Sequence, residues 1–181
     1  MNLYDRSLVL RAVEPSDADT LYAMLADPDL ESSVIGWSGP VSLASQDRWI
    51  RNIQPHEFRF MVEYEGSPAG MVRIDPVDFK NRTGTVNIKL VPGSRGRGIG
   101  RKALNLLLRY MFDELGLEVA VADVLEGNRA SRALFKSLGF VQEGVLRARI
   151  FKGGARHSVV MYSLLRSEFR SSTGPQKAEV E

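Results

Sequence analysis

The sequence predicts a mixed α/β domain on a mostly antiparallel central sheet of about seven strands. Three observations carry that expectation. Residues 58–92 hold three successive alternating segments, "FRFMVEYEG", "PAGMVRIDPVDF" and "RTGTVNIKLVP", separated by short breaks, the pattern of an antiparallel meander. The period then changes to that of a helix, with Ile99, Ala103, Leu106, Leu107, Tyr110 and Met111 on one face. The chain closes on "VQEGVLRARIF" and "GGARHSVVMYSLL", a hairpin around Gly153 and Gly154.

The other elements follow in order. "SLVLRAVEP" alternates as a first strand, and "SDADTLYAMLADP" reads as a helix with Ser16 as N-cap and a stop at Pro28. "DLESSVIGWSGPVS" is a loop or broken helix, and "SLASQDRWIRNI" a second short helix. Pro76 favours a bend or an edge position in its strand. "LEVAVADVL" is continuously apolar, as in strands buried on both faces. "NRASRALFKSLGF" is a helix capped by Asn128, with Gly139 past its end. Residues 1–170 form one domain, and the polar tail 171–181, "SSTGPQKAEVE", is expected to be disordered.

Composition narrows the function. The 181 residues suit a single core, and 24 basic residues nearly match 22 acidic ones, for a net charge of +2 and a pI near 9.0. That balance argues against a spread nucleic-acid surface and for a local basic site. With no cysteine, disulfides, thiolate zinc sites and a cysteine nucleophile are excluded. His56 and His157 lie far apart without ligand spacing, so no metal is expected. The early acids exclude a signal peptide, and no run approaches the about 18 apolar residues of a membrane span. A cytoplasmic location without membrane association is the expectation.

The informative stretch is "VPGSRGRGIGRKAL", residues 91–104. Gly96, Gly98 and Gly100 alternate with Arg95, Arg97 and Arg101 before an apolar helix. The spacing fails for a Walker loop, and for the dinucleotide fingerprint the third glycine comes one place early and after hairpin strands. A flexible surface turn is the bland alternative. Helix N-terminal N–H groups converging on a pyrophosphate, with glycines admitting it and arginines neutralising the outer oxygens, account for more of the pattern.

Arg95-x-x-Gly98-x-Gly100 after "VNIKLVP", followed about 30 residues later by "EGNRASRALFKSLGFVQEGVLR", resembles the signature of the GCN5-related N-acetyltransferases (GNAT). The resemblance covers about residues 7–169, and is strongest to a branch acting on polyamines, amino-sugar nucleotides and ribosomal-protein N-termini. It implies a splayed pair of strands, "NIKLV" and "EVAVADV", whose wedge takes the pantetheine arm of acetyl-CoA. It further implies a cofactor set of Leu90, Val91, Arg95, Gly96, Arg97, Gly98, Ile99, Gly100, Arg101, Asn128, Ser131 and Phe135. A backbone N–H at Leu90 or Val91 would face the thioester oxygen. Glu31 and Trp37, with Trp49, would lie in the acceptor wall.

Two departures from the family stand out. Phe135 occupies the place of a usual tyrosine acid, which turns attention to Ser131, one turn earlier, and to Tyr162. Thr85 stands where the polyamine branch has a glutamate, which leaves Asp75, Asp78 and Glu126 as bases acting through water. The expected reaction is acetyl transfer from acetyl-CoA to a primary amine of a small molecule, by direct attack in a ternary complex. Protein N-terminal acetylation, a silent CoA-binding module and, more distantly, a nucleotide-dependent oxidoreductase are the alternatives, and a homodimer is compatible with the sequence.

Overall fold

The computed structural model describes residues 2–36, 39–54 and 56–173, with side chains to Phe169. Eight strands form one sheet in the order β1-β2-β3-β4-β5-β6-β8-β7. They are β1 (Leu3–Asp5), β2 (Leu8–Ala12), β3 (Phe58–Tyr64), β4 (Ser67–Asp78), β5 (Thr83–Leu90), β6 (Val119–Leu125), β7 (Val141–Lys152) and β8 (Ala155–Leu165). The expected seven are all present; β1 is an added edge strand. Neighbours are antiparallel except β5 and β6. The helices are α1 (Ala18–Ala26), α2 (Pro28–Ser33), α3 (Leu43–Arg51), α4 (Ile99–Arg109), α5 (Arg129–Ser137) and α6 (Arg166–Thr173).

One core joins α4, α5 and α6 to one face of the sheet through Leu8, Leu10, Val72, Ile74, Val86, Ala103, Leu107, Phe135 and Phe169. A second core lies on the other face, where Leu21, Met24, Leu30 and Ile50 cover Met61. In β3 and β4 the alternation serves both cores, with Val62, Val72 and Ile74 on one face and Met61 and Met71 on the other, because successive side chains point to opposite faces.

Several sequence expectations shift for identifiable reasons. Ser16 is not the cap of α1; it lies in a 3-10 turn (Pro15–Asp17), and Asp17 is the N-cap. The Asp17 carboxylate instead takes the Glu14 N–H at 2.8 Å and both terminal nitrogens of Arg11 at 2.8 Å. Burial opposes its ionisation, but those hydrogen bonds and the Arg11 charge together hold its pKa below the ordinary value. Helix α4 buries Leu104 and Leu108 completely, while Leu106 is only partly covered. Strand β6 buries Ala120, Ala122 and Val124, yet Val119 and Val121 are half-buried and Asp123 is exposed. One of its faces therefore opens on a cavity rather than a second layer. Pro76 has no N–H for the ladder, and pairing with β5 skips between Ile74 and Val77. Residues 171–173, expected in the tail, are helical in backbone as the end of α6, and the rest of the expected tail lies outside the described residues.

Candidate active site

The site starts from a parting of strands. Parallel pairing of β5 with β6 covers only Thr83–Val119, Gly84–Ala120 and Thr85–Val121. Beyond Thr85 the two strands continue, to Leu90 and Leu125, without pairing to each other. On its other side β5 stays bound to β4, and the Val91 N–H donates to Ala69 O at 3.0 Å. In an antiparallel ladder the bonded pairs recur every second residue, so 89 and 87 bond β4 while the Ile88 backbone groups and the Leu90 N–H turn into the wedge, the Leu90 carbonyl being taken by Arg95. Of the two thioester-oxygen donors expected from sequence, Val91 is thus already engaged, and Leu90 N–H faces the gap. Gly70 permits this close approach: at its φ of +152°, a Cβ would stand 2.2 Å from Lys89 O and 2.8 Å from Leu90 Cα.

At the end of β5 a 3-10 turn (Pro92–Ser94) leads into the glycine loop and α4. Gly96 and Gly98 have φ of +73° and +78°, and a Cβ at either would meet nothing within 4 Å. Backbone N–H groups from Gly96 to Gly100 find no backbone partner among the described residues, which matches the orphan donors of a helix start. This is open, positively polarised space for a diphosphate. Gly100 also has a packing role. Buried against the sheet, its Cα side lies where a Cβ would touch Ile88, Leu90 and Leu134 at 3.4 Å, so its smallness serves helix packing. Ile99 is likewise a core residue, 1% exposed.

The arginines divide. Arg95 turns away from the loop mouth: its Nε donates to Leu90 O at 3.0 Å and its Nη2 to the Asp27 carboxylate. That hydrogen bond holds the Asp27 pKa below its ordinary value. Arg95 is a brace, and Asp27 also caps α2 through the Asp29 N–H. Arg97 and Lys102, the latter not singled out in the sequence, both lie over the Tyr64 ring, at 5.6 and 5.3 Å. Exposed Arg101 lines a second cavity of about 490 Å³ with Lys102, Asn105 and Lys136.

The wedge itself is a cavity of about 320 Å³. One wall carries Asn128, the N-cap of α5, with Ser131 and Phe135 from that helix, and the other carries Met71, Arg73, Thr85, Asn87 and Lys89 from β4 and β5. Asn128 caps α5, accepting from the Ser131 N–H at 2.9 Å, while its amide donates to Ser33 O at 2.9 Å. Tyr162, expected as a second acid, is not on the wedge. It is fully buried, its ring stacked on Phe135, and its hydroxyl accepts from Arg132 at 3.3 Å. Ser131 does line the cavity.

The segment 33–36 lies against the wedge as a wall. Lys152, at the tip of the β7–β8 hairpin, donates to Val34 O and Gly36 O at 2.9 Å each, to Glu31 O, and to Glu31 Oε1 at 3.0 Å. Glu31, expected to meet the acceptor, has one carboxylate oxygen in this clamp. Trp37 lies outside the described residues. Trp49 is partly buried in the second core, under the Arg59 guanidinium at 5.5 Å.

None of the three expected bases reaches the cavity lining. Asp75 pairs with Arg59 and Arg73, Asp78 binds the Asn81 side chain and N–H, and Glu126 lies past the end of β6. Asp123 lines the cavity instead. It retains open surface, but lost hydration between the strands pushes its carboxyl up from the ordinary value. A signal for it existed: it is the single charge in the apolar run 119–125. Among the described residues no three His, Cys, Asp or Glu side chains gather as a metal site, and no helix is long and apolar enough to cross a membrane.

Residues 7–141 match the family model described as an acetyltransferase (GNAT) domain. A relative from Bacillus subtilis, the SPbeta prophage-derived uncharacterized N-acetyltransferase YokL, is 29% identical over 170 residues, covering 93% of this chain and 95% of its own. Among solved structures, spermidine N-acetyltransferase from Vibrio cholerae, in complex with CoA and spermine, superposes with a TM-score of 0.84 at 24% identity, over 91% of this chain and 99% of that one. RimL, the ribosomal L7/L12 alpha-N-protein acetyltransferase in complex with coenzyme A, gives 0.83 at 20% identity, over 91% and 98%. At those identities both likenesses speak for the fold.

Proposed function

Because the chain belongs to the GNAT acetyltransferase family and is an acetyl-CoA-dependent N-acetyltransferase, we propose that its acceptor is a primary amine of a small molecule, attacked while both substrates are bound. The observation that carries this is the clamped wall. Lys152 and Asn128 hold 31–36 against a 320 Å³ cavity that the acetyl-pantetheine tip must share. An extended peptide needs a long open groove, whereas a half-open cavity of this size with one wall held in place suits a metabolite-sized acceptor. Relatives named for spermidine acetylation favour a small amine, and RimL, named for a protein N-terminus, stands for the other reading.

Acetyl-CoA supplies the acyl group and a thiolate leaving group. The loop Gly96–Ile99 binds the diphosphate through backbone N–H groups, with Arg97 and Arg101 screening its outer charge, and the open edge at the Ile88 backbone groups and the Leu90 N–H pairs with the arm. Leu90 N–H meets charge developing on the thioester oxygen. Asp123 takes the proton of the attacking amine, directly or through one water, and its raised pKa suits it to that exchange. Ser131 can return a proton to sulfur, although a thiol with a pKa of about 8.5 leaves readily without one.

Thiol release from acetyl-CoA, measured with an amino sugar, an amino-sugar nucleotide, spermidine and an N-terminal peptide, tests the reading. Turnover confined to small primary amines is the expected result. Preferred acetylation of the peptide replaces it with N-terminal acetylation, and CoA binding without any turnover replaces it with a silent module.

A further inference from the structure

Resting on the small-amine reading, we infer that the acceptor carries an anionic group, a carboxylate or a phosphate ester, near its amine, and that Lys89 backed by Arg73 holds it. The argument begins with strand register. Met71 pairs with Lys89 and Arg73 with Asn87, so Arg73 and Lys89 are diagonal neighbours on one face of β4 and β5. Both line the wedge cavity.

The carboxylates beside these two cations are already engaged. Arg59 binds Glu57 at 2.7 Å and Asp75 at 3.2 Å, Arg73 reaches the same Asp75 at 3.4 Å, and Lys152 binds Glu31 at 3.0 Å. Each of these three carboxylates is thus bound to a cation other than Lys89. Lys89 makes no ion pair or hydrogen bond among the described residues. Burial, with the charges of Arg73 and Lys152 nearby, lowers its pKa, and Glu31 offsets this only in part. A half-buried ammonium without a partner, on the wall of a substrate cavity, is stabilised by an anion arriving with the substrate.

The opposite wall carries Asp123. The cavity is thus polarised, with a carboxylate on the β6 side, where the amine would lose its proton, and two cations on the β4–β5 side. An acceptor with an amine at one end and an anion at the other matches that polarity. A polyamine does not, because its second ammonium would face Lys89 and Arg73.

Matched acceptor pairs test the inference: glucosamine 6-phosphate against glucosamine for phosphate, and phenylalanine against phenylalaninamide for carboxylate, with spermidine as the cationic arm. The anionic member of at least one pair should lead in kcat/KM by about 10- to 100-fold, and the pair with the larger ratio identifies the anion. Lys89→Met, which keeps the apolar stem, should erase most of that ratio through KM while the Kd for acetyl-CoA stays put and the thermal midpoint does not fall. Lys89→Arg should restore it, and Lys89→Glu should shift preference toward the neutral members and spermidine. Equal turnover within both pairs, spermidine as the best acceptor, or a ratio unmoved in Lys89→Met overturns the anion site and leaves acetyl transfer standing. Absence of turnover with every amine, CoA binding being intact, overturns the small-amine reading and this inference together.

Discussion

The glycine loop and the clamped wall bound the same wedge, but they are assembled differently. The proposed anion-binding groups of the loop come from consecutive residues, Gly96 to Ile99, and are backbone N–H groups without backbone partners among the described residues. The wall is collected from α2 and its exit, β4, β5, β6 and the tip of the β7–β8 hairpin, and its chemistry lies in side chains. A contiguous backbone site tolerates most surrounding substitutions, provided the glycines and the helix start remain. A wall gathered from five segments can change acceptor through one residue while the loop is untouched. Asp27 joins the two, since it caps α2 and also receives Arg95 from the loop side.

The largest expected effect isolates the loop. Gly98→Asp should reduce acetyl-CoA affinity by more than about 100-fold, because a carboxylate would occupy the diphosphate space. The fold should survive, as a Cβ there meets nothing within 4 Å and aspartate tolerates positive φ. Calorimetric titration with CoA, beside a thermal melt, checks both parts; unchanged affinity in folded protein would remove the diphosphate from this loop. The matching change at Gly100 should instead lower the melting temperature, since the carboxylate would be set among the apolar side chains of Ile88, Leu90 and Leu134.

Next come the two side chains given proton-transfer roles. Asp123→Asn should lower the single-turnover rate by about 100-fold without changing acetyl-CoA affinity. In the wild type the base must be ionised, so the rate should fall as pH drops through a pKa above the ordinary aspartate range, and the variant should lack that limb. The stability sign is opposite. A carboxyl harder to ionise when folded favours the folded state only while protonated, and that contribution is lost as pH rises through its folded pKa. Asp123→Asn should therefore raise the melting temperature at neutral pH and leave it unchanged in acid. Ser131→Ala should reduce the chemical step by about tenfold, below the usual range for acid catalysis because thiolate leaves readily. A silent Ser131→Ala would mean that departure needs no acid.

Smaller changes sharpen the contrast. Lys152→Met releases the carbonyls of Val34 and Gly36 and should raise the acceptor KM by about tenfold with no change in CoA affinity. Equal weakening of both substrates would show that loop and wall are mechanically one unit. Arg97→Ala should weaken acetyl-CoA by only a few-fold and more so at low salt, since an exposed phosphate contact is screened.

The order of elements, the antiparallel meander, the capped α5 and the glycine loop were legible because each rests on local periodicity or a short motif: alternation at 58–92, Asn128 before "RASRALF", glycines before an amphipathic helix. Strand β1 has only three residues and α6 follows directly on β8, so neither offers a period long enough to detect. The family resemblance, rather than any local pattern, pointed to Ser131 and Phe135, which line the wedge. It could not show that Arg95 turns back to Asp27, that Tyr162 faces Arg132, or that Val91 N–H is already bonded to Ala69. Those outcomes depend on partners 22 to 68 residues away. By itself the sequence determined the backbone site, since adjacent residues set both the helix start and the glycine conformations. Only the tertiary structure decided the acceptor wall, because the parting of β5 from β6 alone turns Asp123, Lys89 and Arg73 toward one cavity.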